Sequence, residues 1–170
     1  MVNLSLEELS KIKLVSLSKV FFRLVASKHA NEILSSQGSL KYGGRYNPAR
    51  KFGALYLGES ENVCKAEKSI MVKLDFLDPQ VLGKIRVSLN KVLDLTNLDN
   101  LKKLGLKKED LTYKKSEGGW NLTCQIACLA YQLGIEAILV PSSTGEGNNL
   151  VVFDKYVKEE KIELISKKEV

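Results

Sequence analysis

Three stretches of the chain hold residue types that do chemistry, and none of them contains a histidine. The first is Tyr42-Gly43-Gly44-Arg45-Tyr46-Asn47-Pro48. Paired glycines allow positive φ and close backbone approach, and an arginine between aromatics can fork onto a phosphate. A tight loop with a solvated arginine is the plainer alternative. The second is Glu67. At about 100° per residue, Val63, Cys64, Glu67, Ile70 and Met71 fall on one arc of a helix, with the acid near its middle. An unpaired charge there is costly. The carboxylate therefore meets a cation, Arg23 or Arg45, or lines a cavity, and the two are not exclusive. The third is Val140-Pro141-Ser142-Ser143-Thr144-Gly145-Glu146-Gly147-Asn148-Asn149. Small hydroxyls at the end of a buried strand, leading into a glycine loop, either hold a phosphate or sugar or make an ordinary polar turn.

Brought together, these stretches would furnish a cleft of arginine, carboxylate and hydroxyl groups without metal or histidine. Acyl transfer would lack its base there. A glycosidic bond that already carries a good leaving group needs little acid help. It needs a carboxylate beside the developing oxocarbenium charge and cations on any phosphates. NAD, whose nicotinamide is a pyridinium leaving group on a ribose, is such a substrate.

The elements that must position these residues follow from pattern. Ser5-Leu6-Glu7-Glu8 is a capping box opening a short helix. Lys19 to Val25 clusters aromatic and β-branched residues and predicts a strand. Ala30 to Ser36 reads as a helical turn, Gly38 to Gly53 as a glycine-rich and polar passage, and Ala54 to Leu57 as a strand. Ser60 is a good N-cap for a helix running to about Lys73. Ile85 to Leu89 alternates as a half-buried strand, and Val92 to Leu95 reads as another. A lysine-rich helical region spans Leu98 to Leu111. A helix from about Trp120 to Leu133 presents Leu122, Ile126, Leu129, Ala130 and Leu133 on one face, and Gly134 stops it. Ile135 to Val140, Leu150 to Phe153 and Lys161 to Ile165 complete the strands. Strands outnumber long helices, so the expected fold is α+β, a single domain of mixed and antiparallel sheet with helices.

At 170 residues, with 44% hydrophobic and 27% charged residues, the chain has the size and mix of one compact domain. No apolar run approaches the ~20 residues of a membrane-spanning helix. The start lacks the basic, apolar and cleavage-site pattern of a secretory signal. With 12 glycines and 3 prolines, disordered and collagen-like compositions are excluded. The expectation is a cytoplasmic globular protein without membrane contact. The net charge of +6 comes almost wholly from lysines mixed with glutamates, the composition of a solvated surface. Arginine is confined to Arg23, Arg45, Arg50 and Arg86, so it stands out as the forked donor kept for particular places. Three cysteines, Cys64, Cys124 and Cys128, with His29 as the one histidine, suit buried small side chains better than a disulfide framework or a zinc site.

Taken in order, these segments resemble the RES domain family, toxins of bacterial toxin–antitoxin pairs named for an arginine, a glutamate and a serine. The resemblance runs from Phe22-Arg23-Leu24-Val25 through Gly43-Gly44-Arg45-Tyr46-Asn47-Pro48, Leu55-Tyr56-Leu57 and Ala66-Glu67 to Val140-Pro141-Ser142 and Asn149-Leu150-Val151-Val152-Phe153. Tyr46 stands where the family more often has tryptophan, and Ser143-Thr144 lacks an arginine associated with that loop. The resemblance implies an ADP-ribosyltransferase-like fold and an enzyme that consumes NAD. It implies Glu67, Arg45 and Ser142 as catalytic residues, and Arg23, Gly44, Tyr46, Asn47 and Tyr56 as residues that bind NAD. In those roles Arg23 and Arg45 grip the pyrophosphate or orient the dinucleotide, and Tyr56 packs on the nicotinamide or its ribose. Glu67 steadies the ribose as nicotinamide leaves, and Ser142 holds a phosphate or ribose hydroxyl. Hydrolysis, phosphorolysis and ADP-ribosyl transfer to a protein remain open, as does a separate antitoxin chain as partner. The competing class is a non-catalytic basic nucleic-acid-binding module, for which Lys102-Lys103 and Lys107-Lys108 offer little aromatic interleaving.

Overall fold

A computed structural model describes residues 4–71, 79–113 and 119–170 of the chain. The capping box forms as expected: Glu8 N–H donates to Ser5 Oγ and Ser5 N–H to the Glu8 carboxylate, starting α1 at Leu6–Ser10. Strand β1 (Val15–Ala26) is longer than its aromatic centre, because it pairs along nearly its whole length with β3 (Gln80–Asp94). The helical turn after β1 lies at Ser27–Glu32, and the polar passage beyond it holds a short helix, α2 (Gln37–Tyr42). β2 (Ala54–Gly58) leads to Ser60, whose Oγ accepts from Val63 N–H and opens α3 (Glu61–Met71). The expected end of this helix at Lys73, and the side chains of Ile70 and Met71, lie outside the described residues.

The two strands expected at Ile85–Leu89 and Val92–Leu95 are one. Along one edge of β3, β6 (Ile162–Glu169) pairs as far as Val87 and β4 (Ala137–Pro141) begins at Val92. In the gap between those neighbours, Glu136 Oε1 accepts the backbone N–H groups of Asn90 (2.7 Å) and Lys91 (2.8 Å). A carboxylate thus stands in for a missing strand and keeps β3 extended, since buried N–H groups need partners. The lysine-rich region is likewise divided. α4 (Leu98–Lys103) stops before Gly105, at φ 67°, and a 3-10 turn follows at Lys108–Leu111. α5 (Gly119–Gln132) ends in Gly134, at φ 76°, and β5 (Asn148–Phe153) completes the set.

The strands run in the order β1-β2-β5-β4-β3-β6, and the further pairing of β1 with β3 closes five of them into a barrel-like ring with β6 laid along β3. Among the described residues, β3 and β4 pair in parallel and the other pairs are antiparallel. One core cluster draws residues from all six strands, among them Phe21, Leu55, Ile85, Ala137, Val152 and Ile162, and fills the ring. The alternate residues of the strands, including Ala54, Ile138, Val140, Val151 and Phe153, pack outward under α1, α4 and α5. The fold is α+β, as expected.

Candidate active site

Glu67 is positioned by the start and the anchor of α3. One turn before it, the Cys64 thiol donates to the carbonyl of Phe22 at 3.3 Å, pinning the helix on β1. Burial pushes that thiol up to about 11, so it is a packing group and not a nucleophile. Glu67 itself is half-buried, and its Oε1 accepts two hydrogen bonds. One comes from Ser142 Oγ at 2.5 Å and the other from Asn149 Nδ2 at 2.7 Å. No described residue donates to Oε2. Ser142 is 1% exposed and follows the last residue of β4. Having given its one hydroxyl hydrogen to Glu67, its Oγ accepts from the Thr144 hydroxyl at 2.8 Å and from Thr144 N–H at 3.2 Å. The loop is turned by Ser142 N–H to Gly147 O and by Gly145 N–H to Ser142 O.

The glycine–arginine stretch forms a loop held from within. Gly43, at φ 75°, ends α2. Tyr56 Oη accepts Tyr46 N–H at 3.0 Å and donates to Asn47 Oδ1 at 2.7 Å. Asn47 is fully buried and its amide nitrogen donates to the carbonyls of Ser39 and Phe52. Gly44 is packed so tightly that a Cβ on it would lie 2.5 Å from Tyr56 Oη. From the helix side, Thr123 Oγ1 on α5 donates to Arg45 O, and Cys124 Sγ approaches the Gly44 and Arg45 carbonyls. Tyr46 is 2% exposed; burial raises its phenol pKa, the Arg45 charge opposes that, and the Glu67 carboxylate adds to it. The loop and the carboxylate therefore share one electrostatic neighbourhood.

The sequence-derived residues thus fall into two linked groups. Glu67 and Ser142 meet directly, and Gly44, Tyr46, Asn47 and Tyr56 build the loop beside them. The two arginines do not join Glu67: the ion pair held open for it is absent among the described residues. Arg23 Nη1 donates to the carbonyls of Ile33 (2.7 Å) and Ser35 (2.9 Å). Arg45 Nη1 donates to Tyr113 O (2.5 Å) and Leu111 O (3.4 Å), with its guanidinium 5.9 Å from the Trp120 ring centre. Backbone carbonyls hold the guanidinium groups, and neutral donors meet the acid. Asn149 is the residue the sequence reading did not assign. Its signal was an amide at the start of an apolar strand, on the face that period two gives to Val151 and Phe153.

Beside Ser142 lies an open cavity of about 380 Å³, with Lys108, Glu109 and Thr112 on one wall and Ser142 to Gly145 on the other. Lys102, Lys103, Lys107 and Lys108 are all exposed, and so is His29. A half-buried carboxylate with one oxygen fixed and the other unclaimed, beside an arginine-bearing loop, is an arrangement able to steady positive charge on a bound sugar.

NAD(+) phosphorylase MbcT of Mycobacterium tuberculosis, and the protein of the same name from Mycobacterium bovis, are each 27% identical over 141 residues, spanning 78% of this chain and 73% of theirs. A chain in the crystal structure of the Mycobacterium tuberculosis MbcT–MbcA toxin–antitoxin complex has the same fold, with a TM-score of 0.82 at 23% identity over 97% of this chain and 91% of that one. The family model described as RES domain matches residues 20–167, from within β1 to near the end of β6. With that span covered, the chain belongs to the RES domain family.

Proposed function

We propose that this protein cleaves the bond between nicotinamide and ribose in NAD, with phosphate as the attacking group, and that it acts as the toxin of a toxin–antitoxin pair. The observation that carries the reading is Glu67: Oε1 is fixed by Ser142 and Asn149, which leaves Oε2 as an acceptor for a substrate hydroxyl. The similarity to proteins named NAD(+) phosphorylase favours phosphate over water or a protein side chain as the acceptor.

In the proposed reaction the C–N bond to the ribose breaks and its electron pair leaves with nicotinamide, which departs neutral. Positive charge builds on the ribose ring, and Glu67 offsets it while a ribose hydroxyl donates to its free oxygen. A phosphate oxygen then bonds to the same carbon, giving ADP-ribose phosphorylated at that position. Ser142 acts here as a positioning residue, since its hydroxyl hydrogen is committed to Glu67. Arg45 and the loop of Gly44, Tyr46, Asn47 and Tyr56 shape the wall against which the dinucleotide lies. An ADP-ribosyltransferase-like ancestry of the fold, a cytoplasmic setting where NAD is available, and a separate antitoxin chain that covers the cleft all belong to this reading. Mass spectrometry of NAD incubated with the protein tests it. Nicotinamide and a phosphorylated ADP-ribose should appear when phosphate is present. Free ADP-ribose at an unchanged rate without phosphate would instead assign water as the acceptor, and intact NAD would overturn the reading.

A further inference from the structure

Ser142 is not the last hydroxyl of its chain of hydrogen bonds. Its Oγ carries one hydrogen and two lone pairs, and all three are committed. The hydrogen goes to Glu67 Oε1 at 2.5 Å, and the lone pairs accept the Thr144 hydroxyl at 2.8 Å and Thr144 N–H at 3.2 Å. The Thr144 oxygen in turn accepts Glu146 N–H at 3.1 Å. Direction follows from this count. The Ser142 hydrogen is spent on the carboxylate, so Thr144 is the donor of the hydroxyl pair. The bonds therefore run one way, from the Glu146 amide through Thr144 and Ser142 to the acid. Gly145 and Gly147, at φ 79° and 60°, turn the loop that closes this chain.

Ser142 and Thr144 both line the open cavity beside the site; Ser142 is almost wholly buried and Thr144 half-buried. Without the Thr144 hydroxyl, one lone pair of Ser142 would be unfilled at that cavity. Water entering there would satisfy it and compete for the Ser142 hydrogen, leaving Asn149 alone to hold Oε1. Bonds in a chain also polarise one another, so a donor behind Ser142 strengthens its bond to the carboxylate. We propose that Thr144 is a positioning residue of the reaction: its hydroxyl fills the acceptor side of Ser142 and leaves the Ser142 hydrogen a single outlet, Glu67. This deepens the reading given above and rests on it for the identity of the reaction. No hydrogen bond joins Thr144 to Glu67 among the described residues, so its effect passes through Ser142.

Thr144→Val removes the hydroxyl, keeps the branched shape and leaves the backbone N–H on Ser142; Thr144→Ala takes its place if the valine variant does not fold. In nicotinamide release the variant should lower kcat by roughly tenfold with KM for NAD changing less than about twofold, since a displaced carboxylate costs rate more than ground-state binding. Thr144→Ser returns a hydroxyl to the same place and should recover most of that loss. In a Ser142→Ala background, Thr144→Val should change kcat by less than about twofold, because the route to Glu67 is gone. Thermal unfolding of the full chain reads the same chain of bonds without turnover. Thr144→Val should lower the Tm of the wild type by about 2–4 °C, the effect of one lost hydrogen bond at this chain length, and leave that of Ser142→Ala nearly unchanged. Wild-type kcat in Thr144→Val, a raised KM at unchanged kcat, a Thr144→Ser no better than Thr144→Val, or equal losses in both backgrounds overturns the proposal. Non-additive melts in a protein that leaves NAD intact keep the hydroxyl chain and fail the NAD-cleaving reading.

Discussion

Ser142 Oγ donates to Glu67 Oε1 at 2.5 Å, joining the end of β4 to the middle of α3 across 75 residues of sequence. Together with Asn149 it fixes one carboxylate oxygen, and no described residue donates to the other. Glu67→Gln keeps an oxygen that Ser142 and Asn149 can still hold, so the fold should survive. It removes the charge and turns the free acceptor into an amide donor. Nicotinamide release should fall by about 100- to 1,000-fold, the effect of losing one preorganised electrostatic contact to a transition state. Chromatography of nicotinamide alongside circular dichroism checks this, and a folded variant with wild-type turnover would remove Glu67 from the chemistry.

The two donors to Glu67 serve one carboxylate, so their loss should not be additive. Ser142→Ala strips Glu67 of its shorter bond and leaves Thr144 without its acceptor, at a cost in stability of about 1–3 kcal/mol. A misplaced carboxylate should lower kcat by roughly 10- to 100-fold. Asn149→Ala should do the same more weakly. The double variant should fall short of the product of the single effects, with a coupling of about 0.5–3 kcal/mol in a double-mutant cycle. Strictly multiplicative effects would mean that the two residues act on different steps.

These contacts also show where sequence patterns reach and where they stop. The oddness of Glu67 is visible in one helical turn, because an acid on an apolar arc needs a partner. Which partner it takes depends on the closure of the ring, which sets Ser142 and Asn149 under α3, and on the carbonyls that capture Arg23 and Arg45 first. The strands around Phe21, Leu55, Ile138 and Val151 are legible from runs of apolar, β-branched and aromatic residues. The continuity of β3 through Asn90 and Lys91 is not, since it rests on the remote side chain of Glu136. The helix of Gln37–Tyr42 hides for a different reason: its glycine and serine are weak helix formers, and contacts with the rest of the fold hold it.

Tyr56 is a loop-holding residue by its contacts, and its removal should be read first in stability. Tyr56→Phe leaves Tyr46 N–H and Asn47 Oδ1 without partners in a mostly buried place, costing about 1–3 kcal/mol for each group left unmet. A chain of this length loses about 2–4 °C of Tm per kcal/mol. Gly44→Ala should be worse, because its Cβ would meet Tyr56 Oη at 2.5 Å and Asn47 Oδ1 at 2.9 Å. Thermal melts of both variants decide the matter. Unchanged stability with lower turnover in Tyr56→Phe would instead place the hydroxyl on the substrate.

Acid should weaken the fold partly through Glu136. Burial alone would raise its pKa, but the Lys161 ammonium at 2.6 Å and the N–H groups of Asn90 and Lys91 outweigh it and hold the carboxyl below its ordinary value. A carboxyl depressed in the folded state binds its proton more readily when unfolded. Its contribution is therefore complete above the unfolded pKa of about 4.3, and is lost as pH falls through the lower folded value. Protonation would also release β3 at the gap between β6 and β4, where this side chain replaces a strand. Glu136→Gln should be less stable than wild type at neutral pH, and its stability should decline less steeply below about pH 5. Urea unfolding at pH 7, 5, 4 and 3 measures both slopes. Parallel declines would show that other carboxylates carry the acid sensitivity.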